Sequence, residues 1–491
     1  MSFSSAVVLT DLNDFISPSQ ACIKPVDTPK PTTDSAQVKI DKDGSYYQVQ
    51  IDGSEQKLES ATISLNDCLA CSGCITSAES VLITQQSYEE FYKVLKQNAE
   101  YKQDGLMDKI QIVCISISSQ SRASIGAKFG LNSEEIWHKL AQIMTNHFGV
   151  DHVFDVDFAR DLALLESGKS FVSRFAKQDE LPMLASSCPG WICYAEKTHG
   201  TILNLIDTTK SPQQIMGSLL KDHFANQLGV TPDRIYHVSI MPCYDKKLEA
   251  SRQDFYNDLY RTRDVDLVLA TSEVELMIQK EQIDFSNVPL VPYHSQFTRT
   301  IGSELAKTEG SSSGGYLSYI MRYAVYSLYN INISPQDVES GGNGITVIPG
   351  RNSDFTEVFY TPPNHTEPTL KFAYAYGFRN IQNLVRKVKT KSKRTTTKYD
   401  FVEVMACPSG CINGGGQLKN EAVSSKEWVA IQERVYQNDK VRLLTAPELS
   451  PVVQLYQEWL GGEGTAKAQH MLHTTYHAVE NNFQSGLAVK W

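Results

Sequence analysis

The chain has 491 residues, 41% of them hydrophobic and 21% charged, the composition of a globular protein with room for about three domains. Its 46 Lys and Arg against 56 Asp and Glu leave a formal net charge of −10, which argues against a nucleic-acid partner or a protein built to grip an anionic membrane. No apolar run approaches the roughly 18 residues of a transmembrane segment, and the N-terminus carries Asp11 and Asp14 with no basic residue before Lys24. It fits neither a secretory signal nor a transit peptide, so the expectation is a soluble protein of the cytoplasm, with the nucleus as a second location.

Residues 1–105 read as a polar N-terminal segment. Alternation in YYQVQI (46–51) and ATISL (61–65) predicts short strands ahead of the compact loop LNDCLACSGCITS. From residue 106 the pattern changes. The alternating run KIQIVCISI (109–117) precedes the amphipathic SEEIWHKLAQIMTNHF (133–148) and the strand-like GVDHVFD, a parallel βαβ unit. The theme returns in PMLASSCPGW (182–191), IYHVSIMPCYD (235–245) and DVDLVLAT (264–271) with its following helix. Strands alternating with helices predict an α/β core over 106–420, with lobes near 106–235 and 236–420 and mainly parallel sheets. Ligands of such sheets collect at the C-terminal strand ends, where Cys188 and Cys243 fall. Gly310, Gly314 and Gly315 open a predicted helix without the lysine of a phosphate loop, so they read as a glycine turn or an anion-facing helix start. The basic run at 386–398 reads as a solvated linker, with nuclear import or a basic docking loop as sharper alternatives. Residues 421–491 read as a helical C-terminal region with a polar tail.

The ten cysteines carry the chemistry. In a chain without a signal peptide, tight clusters point to metal rather than to disulfides. Cys68, Cys71 and Cys74 have the C-x2-C-x2-C spacing that wraps one face of a cubane cluster, whose fourth ligand comes from elsewhere in the chain. Cys22 is the best candidate. Zinc is the main rival, although structural zinc sites usually pair two knuckles or mix in histidine. A second set, Cys188, Cys243, Cys407 and Cys411, makes one four-thiolate site if its three loops converge. Gly410 and Gly414 to Gly416 permit the close backbone approach that this needs. Lys246 could neutralise an anionic cluster, with Glu249 as its partner, or be an ordinary helix salt bridge.

These three segments resemble the three cluster motifs of iron-only hydrogenases. The matching positions are Ser186, Cys188, Pro189 and Trp191, then Met241, Pro242, Cys243, Lys246 and Glu249. In the third motif they are Glu403, Met405, Ala406, Cys407, Gly410, Cys411 and Gly414 to Gly416. FDVDFARDLALLESG (154–168) is similar to the family's strand-to-helix segment. The resemblance spans about 106–420 and implies the hydrogenase-like two-lobed α/β fold around a central cluster, preceded by an N-terminal cluster-binding segment.

Two departures bear on function. The family's paired cysteines have become Ser187–Cys188, with Ala185 in place of the leading threonine. By the resemblance, Cys188 keeps the ligand position and Ser187 replaces the proton-relaying thiol. A hydroxyl is a poor proton carrier near neutrality. The larger hydrogenases' electron-feeding domain is also missing. The combination resembles the eukaryotic hydrogenase-like subfamily of nuclear prelamin A recognition factor-like proteins, whose fungal member is a cytosolic iron–sulfur assembly factor. That resemblance implies two 4Fe-4S clusters, one on Cys22, Cys68, Cys71 and Cys74 and one on Cys188, Cys243, Cys407 and Cys411. It implies an adaptor or carrier between an early scaffold and a late targeting complex that contains a β-propeller protein, without hydrogenase activity. The rival readings are an active iron-only hydrogenase and a structural or oxygen-sensing iron–sulfur protein. Trp491 is a candidate docking handle, a free carboxylate on an aromatic residue, although Lys490 departs from the acidic or small residue that usually precedes one.

Three other signals are discounted. Cys114 reads as a buried strand residue. Cys193 lies off the helical face of Cys188. His470, His473 and His477 would share one helical face, read as wetted rather than metal-binding because no H-E-x-x-H pattern accompanies them.

Overall fold

The computed structural model describes residues 86–298, 300–301, 304–389, 399–438, 440–441 and 451–479, with residue 83 and three strands nearer the N-terminus. Cys22, Cys68, Cys71, Cys74, Trp491 and the second half of the basic run lie outside the described residues. The chain divides into two units, 1–81 and 82–491. In the first, β1 (Gln37–Ile40), β2 (Tyr46–Val49) and β3 (Glu55–Lys57) pair antiparallel in that order. Of the two predicted strands, β2 falls in the first, and the second lies outside the described residues. The unit boundary precedes α1 (Tyr88–Gln103), because Phe91 and Val94 of that helix are buried in the core of the larger unit.

Two sheets dominate the larger unit among the described residues. The first contains β4 (Ile112–Ile117), β5 (His152–Asp155), β7 (Ile235–Met241) and β8 (Leu267–Ala270), all parallel, in the order β8-β7-β4-β5. Ile115 stands opposite both Val238 and Val153, and helices cover both faces, which is why its strands read as nearly continuous apolar runs. The second contains β6 (Met183–Ala185), β9 (Ile345–Pro349), β10 (Phe355–Tyr360), β11 (Leu370–Tyr376) and β12 (Phe401–Met405), in the order β9-β10-β11-β12-β6. Its β11, β12 and β6 are parallel, and β9 to β11 form an antiparallel meander. The sheets interleave along the chain, since β6 belongs to the second and β7 to the first. A division near residue 235 therefore does not separate the layers.

Between β4 and the predicted helix α3 (Ser133–Gln142) lies an additional helix, α2 (Ser119–Phe129). Ser118 caps it by accepting from the Ser121 N–H, and Gly130 closes it in the left-handed conformation. Its buried side chains include Ser119, Gln120, Ser121, Arg122 and Ser124, so no apolar period announces it. The polar interior is paired internally. Arg122, fully buried, lies 2.7 Å from Asp155, and Asp157 lies 2.9 Å from Arg160. Asp155 also accepts from the Asp157 N–H and caps α4 (Val156–Lys177).

The basic run begins inside a helix, Phe378–Lys389, whose last turn holds Arg386, Lys387 and Lys389, a favourable place for cations at the negative end of the helix dipole. To that extent it is helix and not linker. The C-terminal region contains helices at Ser425–Gln437, Pro451–Leu460 and Ala466–Leu472, then an extended strap over 473–479. His473 and His477 lie in the strap, so the three histidines share no helical face.

Replacing Arg122 by Met leaves Asp155 and Asp157 buried with a single cation between them. We expect a loss of about 3–5 kcal/mol in chemical denaturation, against a change near zero for an exposed control such as Lys93→Met, whose ion pair is i,i+3 on the surface.

Candidate metal centre

Each of the four cysteines of the second set follows a strand end. Cys188 comes after β6 and is the residue before α5 (Pro189–Thr198), with Pro189 at the first helical position. Cys243 follows β7 and precedes α6 (Asp245–Ala250). Cys407 and Cys411 follow β12. All four line one cavity, together with the thioethers of Met241 and Met405, the hydroxyl of Ser187, and the cationic side chains of Arg160 and Lys246. The two sheets thus contribute to one place, β7 from the first and β6 and β12 from the second.

The third motif's loop is stitched across that gap. The Gly416 N–H donates to Pro242 O and the Ser272 N–H to Gly416 O, both at 2.9 Å. Thr271 Oγ1 donates to Gln417 Oε1 at 2.7 Å, and Gln417 Nε2 donates to Gln120 O at 2.9 Å. A Cβ on Gly414 would overlap the Pro242 carbonyl, and one on Gly410 would overlap Ser313 Oγ, while Gly410 also holds φ at +79°. The same Ser313 hydroxyl accepts from the Cys411 N–H at 3.1 Å. Gly315, at the turn before the helix Tyr316–Tyr329, has no room for a Cβ beside Glu309 O. The glycine turn therefore serves close packing and supports Cys411 through Ser313.

On the other wall, Ser186 Oγ donates to Val404 O at 2.5 Å and accepts from the Cys188 N–H at 3.0 Å. The Ala406 N–H points at Cys188 Sγ from 3.4 Å. Glu403 is fully buried, accepting from the Leu317 N–H at 2.7 Å and from the Tyr376 hydroxyl at 2.8 Å, and burial pushes its carboxyl up. It braces β12 from behind the cavity.

Burial dominates the electrostatics of the thiols. It pushes Cys243 and Cys407 well up, with neighbouring cysteines and Asp245 adding to the effect. Cys411 is pushed up to about 12 by burial, against the opposing pull of Lys246 and Arg160. Four thiols so placed hold their protons near neutrality unless a cation takes them. Among the described residues no group of side chains converges closely enough to hold a single metal ion. A tetrahedral zinc site would need its sulfurs about 3.8 Å apart, given ~2.3 Å Zn–S bonds. Four soft sulfurs around a common space, with two cations nearby and Asp245 as the one carboxylate of the lining, suit a larger anionic iron–sulfur unit.

Two expected residues behave as read. Lys246 makes the salt bridge considered for it, pairing with Glu249 at 2.8 Å, and it also lines the cavity. Cys114 is fully buried in β4. Cys193, discounted earlier, lines a second cavity with Ser187 and Pro189 on the far side of the Cys188 loop. Arg160 was missed. It lies in the segment FDVDFARD, and an arginine amid apolar helix positions was the available signal.

The comparisons with known proteins agree with this geometry. Residues 111–415 match the family described as iron only hydrogenase large subunit, C-terminal domain, and residues 430–479 match iron hydrogenase small subunit. The chain is 51% identical over its whole length to cytosolic iron-sulfur assembly component 3 of Rattus norvegicus, covering 99% of it. It is 43% identical, again over its whole length and 99% of the relative, to a probable cytosolic Fe-S cluster assembly factor of Dictyostelium discoideum. Among solved structures, it is similar to the apo FeFe-hydrogenase of Chlamydomonas reinhardtii, with 26% identity, a TM-score of 0.63, and coverage of 75% of this chain and 94% of that one. A second FeFe-hydrogenase structure, from a study of stepwise H-cluster assembly, gives 26% identity and a TM-score of 0.65, covering 79% of this chain and 98% of that one.

The small-subunit match ends on the strap, which carries part of the second cavity's wall through Thr474 and Tyr476. The strap is tied down along its length. The Thr474 N–H donates to Thr208 O at 2.8 Å and the Val479 N–H to Glu196 O at 3.0 Å. The His477 N–H reaches Glu196 Oε1 at 2.9 Å, and His473 Nε2 lies 3.0 Å from Glu166 Oε2. Burial alone would raise the Glu166 carboxyl, but hydrogen bonds from His473 and Tyr456 and the Lys169 ammonium outweigh it and hold the group down at about 2. A depressed carboxyl stabilises the fold fully above its unfolded value of 4.5, and that contribution is lost as pH falls toward 2. Hydrogen exchange at the Thr474 amide should accelerate across this window beyond its intrinsic pH dependence. Glu166→Gln should abolish that extra acceleration.

Proposed function

The chain belongs to the iron-only hydrogenase large-subunit family, and from that premise we propose that it is an iron–sulfur protein of cytosolic iron–sulfur cluster assembly, an adaptor or carrier that does not turn over dihydrogen. The observation that carries the reading is the convergence of Cys188, Cys243, Cys407 and Cys411 on one cavity beside Ser187. The relatives that match from end to end are named for cytosolic iron–sulfur assembly, which favours this reading over the enzyme.

The four thiolates hold one 4Fe-4S cluster, and Cys22, Cys68, Cys71 and Cys74 hold a second. A bound cluster supplies a one-electron redox centre and a potential source of iron and sulfide. The chain's own residues do the rest. The Ala406 N–H steadies the Cys188 sulfur, Lys246 and Arg160 offset the negative charge of the thiolates, and the packed glycine loop keeps Cys411 in register with Cys243. The Ser187 hydroxyl keeps its proton near neutrality and would be a far poorer proton relay than a thiol in its place. The partners on this reading are an early cluster scaffold and a late targeting complex with a β-propeller component, with Trp491 as the docking handle.

Four outcomes test the proposal. Cys407→Ala should remove about four of about eight irons per chain and leave the other cluster's absorbance, whereas Cys114→Ala should remove none. Gly414→Ala, which forces a Cβ against Pro242 O, should lose the same iron although no ligand is changed. In cells, depletion should lower the activity of cytosolic iron–sulfur enzymes while mitochondrial ones persist, and Cys407→Ala should fail to restore it. Dihydrogen evolution from a reduced dye above background would overturn the non-enzyme reading.

A further inference from the structure

Arg160 sits on α4, where it is 4% exposed, and it lines the cavity that Cys411 and Cys188 share. Its terminal nitrogens are occupied. Nη1 pairs with Asp157 at 2.9 Å and donates to Ser119 Oγ at 3.3 Å, and Nη2 donates to Gln120 Oε1 at 3.3 Å. Its Nε–H is buried with no partner. Such an orphan donor is costly in a finished interior, and an anionic unit in the cavity is the acceptor that would satisfy it. Lys246, the other cation of the lining, also pairs with Glu249 at 2.8 Å. Asp157 is shared between Arg160 and Arg122, whose Nη2 lies 3.9 Å away.

We propose that Arg160 is a positioning residue for the cluster on Cys188, Cys243, Cys407 and Cys411, donating its free Nε–H toward the cluster's sulfur face and raising the cluster's reduction potential. The physical basis is simple. Reduction adds one electron to an anionic unit, so a fixed cation and an N–H dipole aimed at it stabilise the reduced form more than the oxidised one. Low local dielectric enlarges the effect. Guanidinium suits the task because it stays charged when buried and holds its donors in a fixed plane.

The inference rests on the proposed cluster at these thiols, and the experiment separates the two. The full chain, purified anaerobically, is titrated with dithionite, which supplies the electron, and the reduced cluster is followed by electron paramagnetic resonance. The signal lost in Cys411→Ala identifies the site. In Arg160→Met the midpoint of that signal should fall, with iron and sulfide contents unchanged, while Arg160→Lys should fall between it and the unaltered chain. Asp157→Asn, which removes the neighbouring carboxylate and retains Arg160, should raise it. If Arg160→Met does not fold, Asp157→Asn decides alone. An unmoved midpoint in a variant that retains its iron overturns the role of Arg160 and leaves the cluster assignment standing. Iron that is indifferent to Cys411→Ala overturns the assignment itself.

Discussion

Thiols from two different sheets have to meet at one point, and the interior is arranged around that constraint. Cys243 hangs from a parallel sheet and Cys188 and Cys407 from a mixed one. A small slide of one sheet against the other would part them. The seam is held by directional contacts instead of apolar packing alone. The Gly416–Pro242 and Ser272–Gly416 backbone bonds cross it, and the Gln417 side chain ties Thr271 to Gln120. Behind them lies the buried quartet of Arg122, Asp155, Asp157 and Arg160. Such a quartet adds little net stability over a well-packed apolar interior, but its geometry admits few alternatives, which suits a scaffold whose task is to fix loop ends.

The same arrangement explains why the glycines are where they are. Positions 410 and 414 are not flexible hinges. They are places where another group occupies the space of a Cβ, Ser313 Oγ at 410 and the Pro242 carbonyl at 414, so the loop bearing Cys411 can lie against the Ser313 turn on one side and the loop bearing Cys243 on the other. Proline does the complementary work at Cys188, starting α5 immediately after that cysteine. The likeness to hydrogenases is thus a likeness of scaffold, with Ser187 beside Cys188 in the cavity wall.

Much of this was legible in the sequence. Strands β4, β5, β7 and β8 are short apolar runs, and Cys243 after β7 could be placed at the C-terminal end of a parallel sheet from pattern alone. Cys243, Cys407 and Cys411 carried multi-residue motifs. Helix α2 was not legible, because a buried helix made of Ser, Gln and Arg has no apolar stripe and its stability comes from pairing with Asp155 and Asp157, far along the chain. Arg160 escaped for the same reason, since its significance lies in a cavity formed by segments far apart in the chain. The strap at 473–479 was read as helix because its histidines happened to repeat at helical spacing, whereas their partners, Glu166 and Asp254, come from distant elements. Residue spacing reports local structure, and these features are tertiary.

The most direct test of the central claim is the iron and acid-labile sulfide content of the anaerobically purified chain. Two cubanes predict about eight of each per chain. About two further irons without matching labile sulfide would mean a hydrogenase-type centre, and zinc in place of iron would mean that the thiols hold a structural ion. Either result would contradict the account.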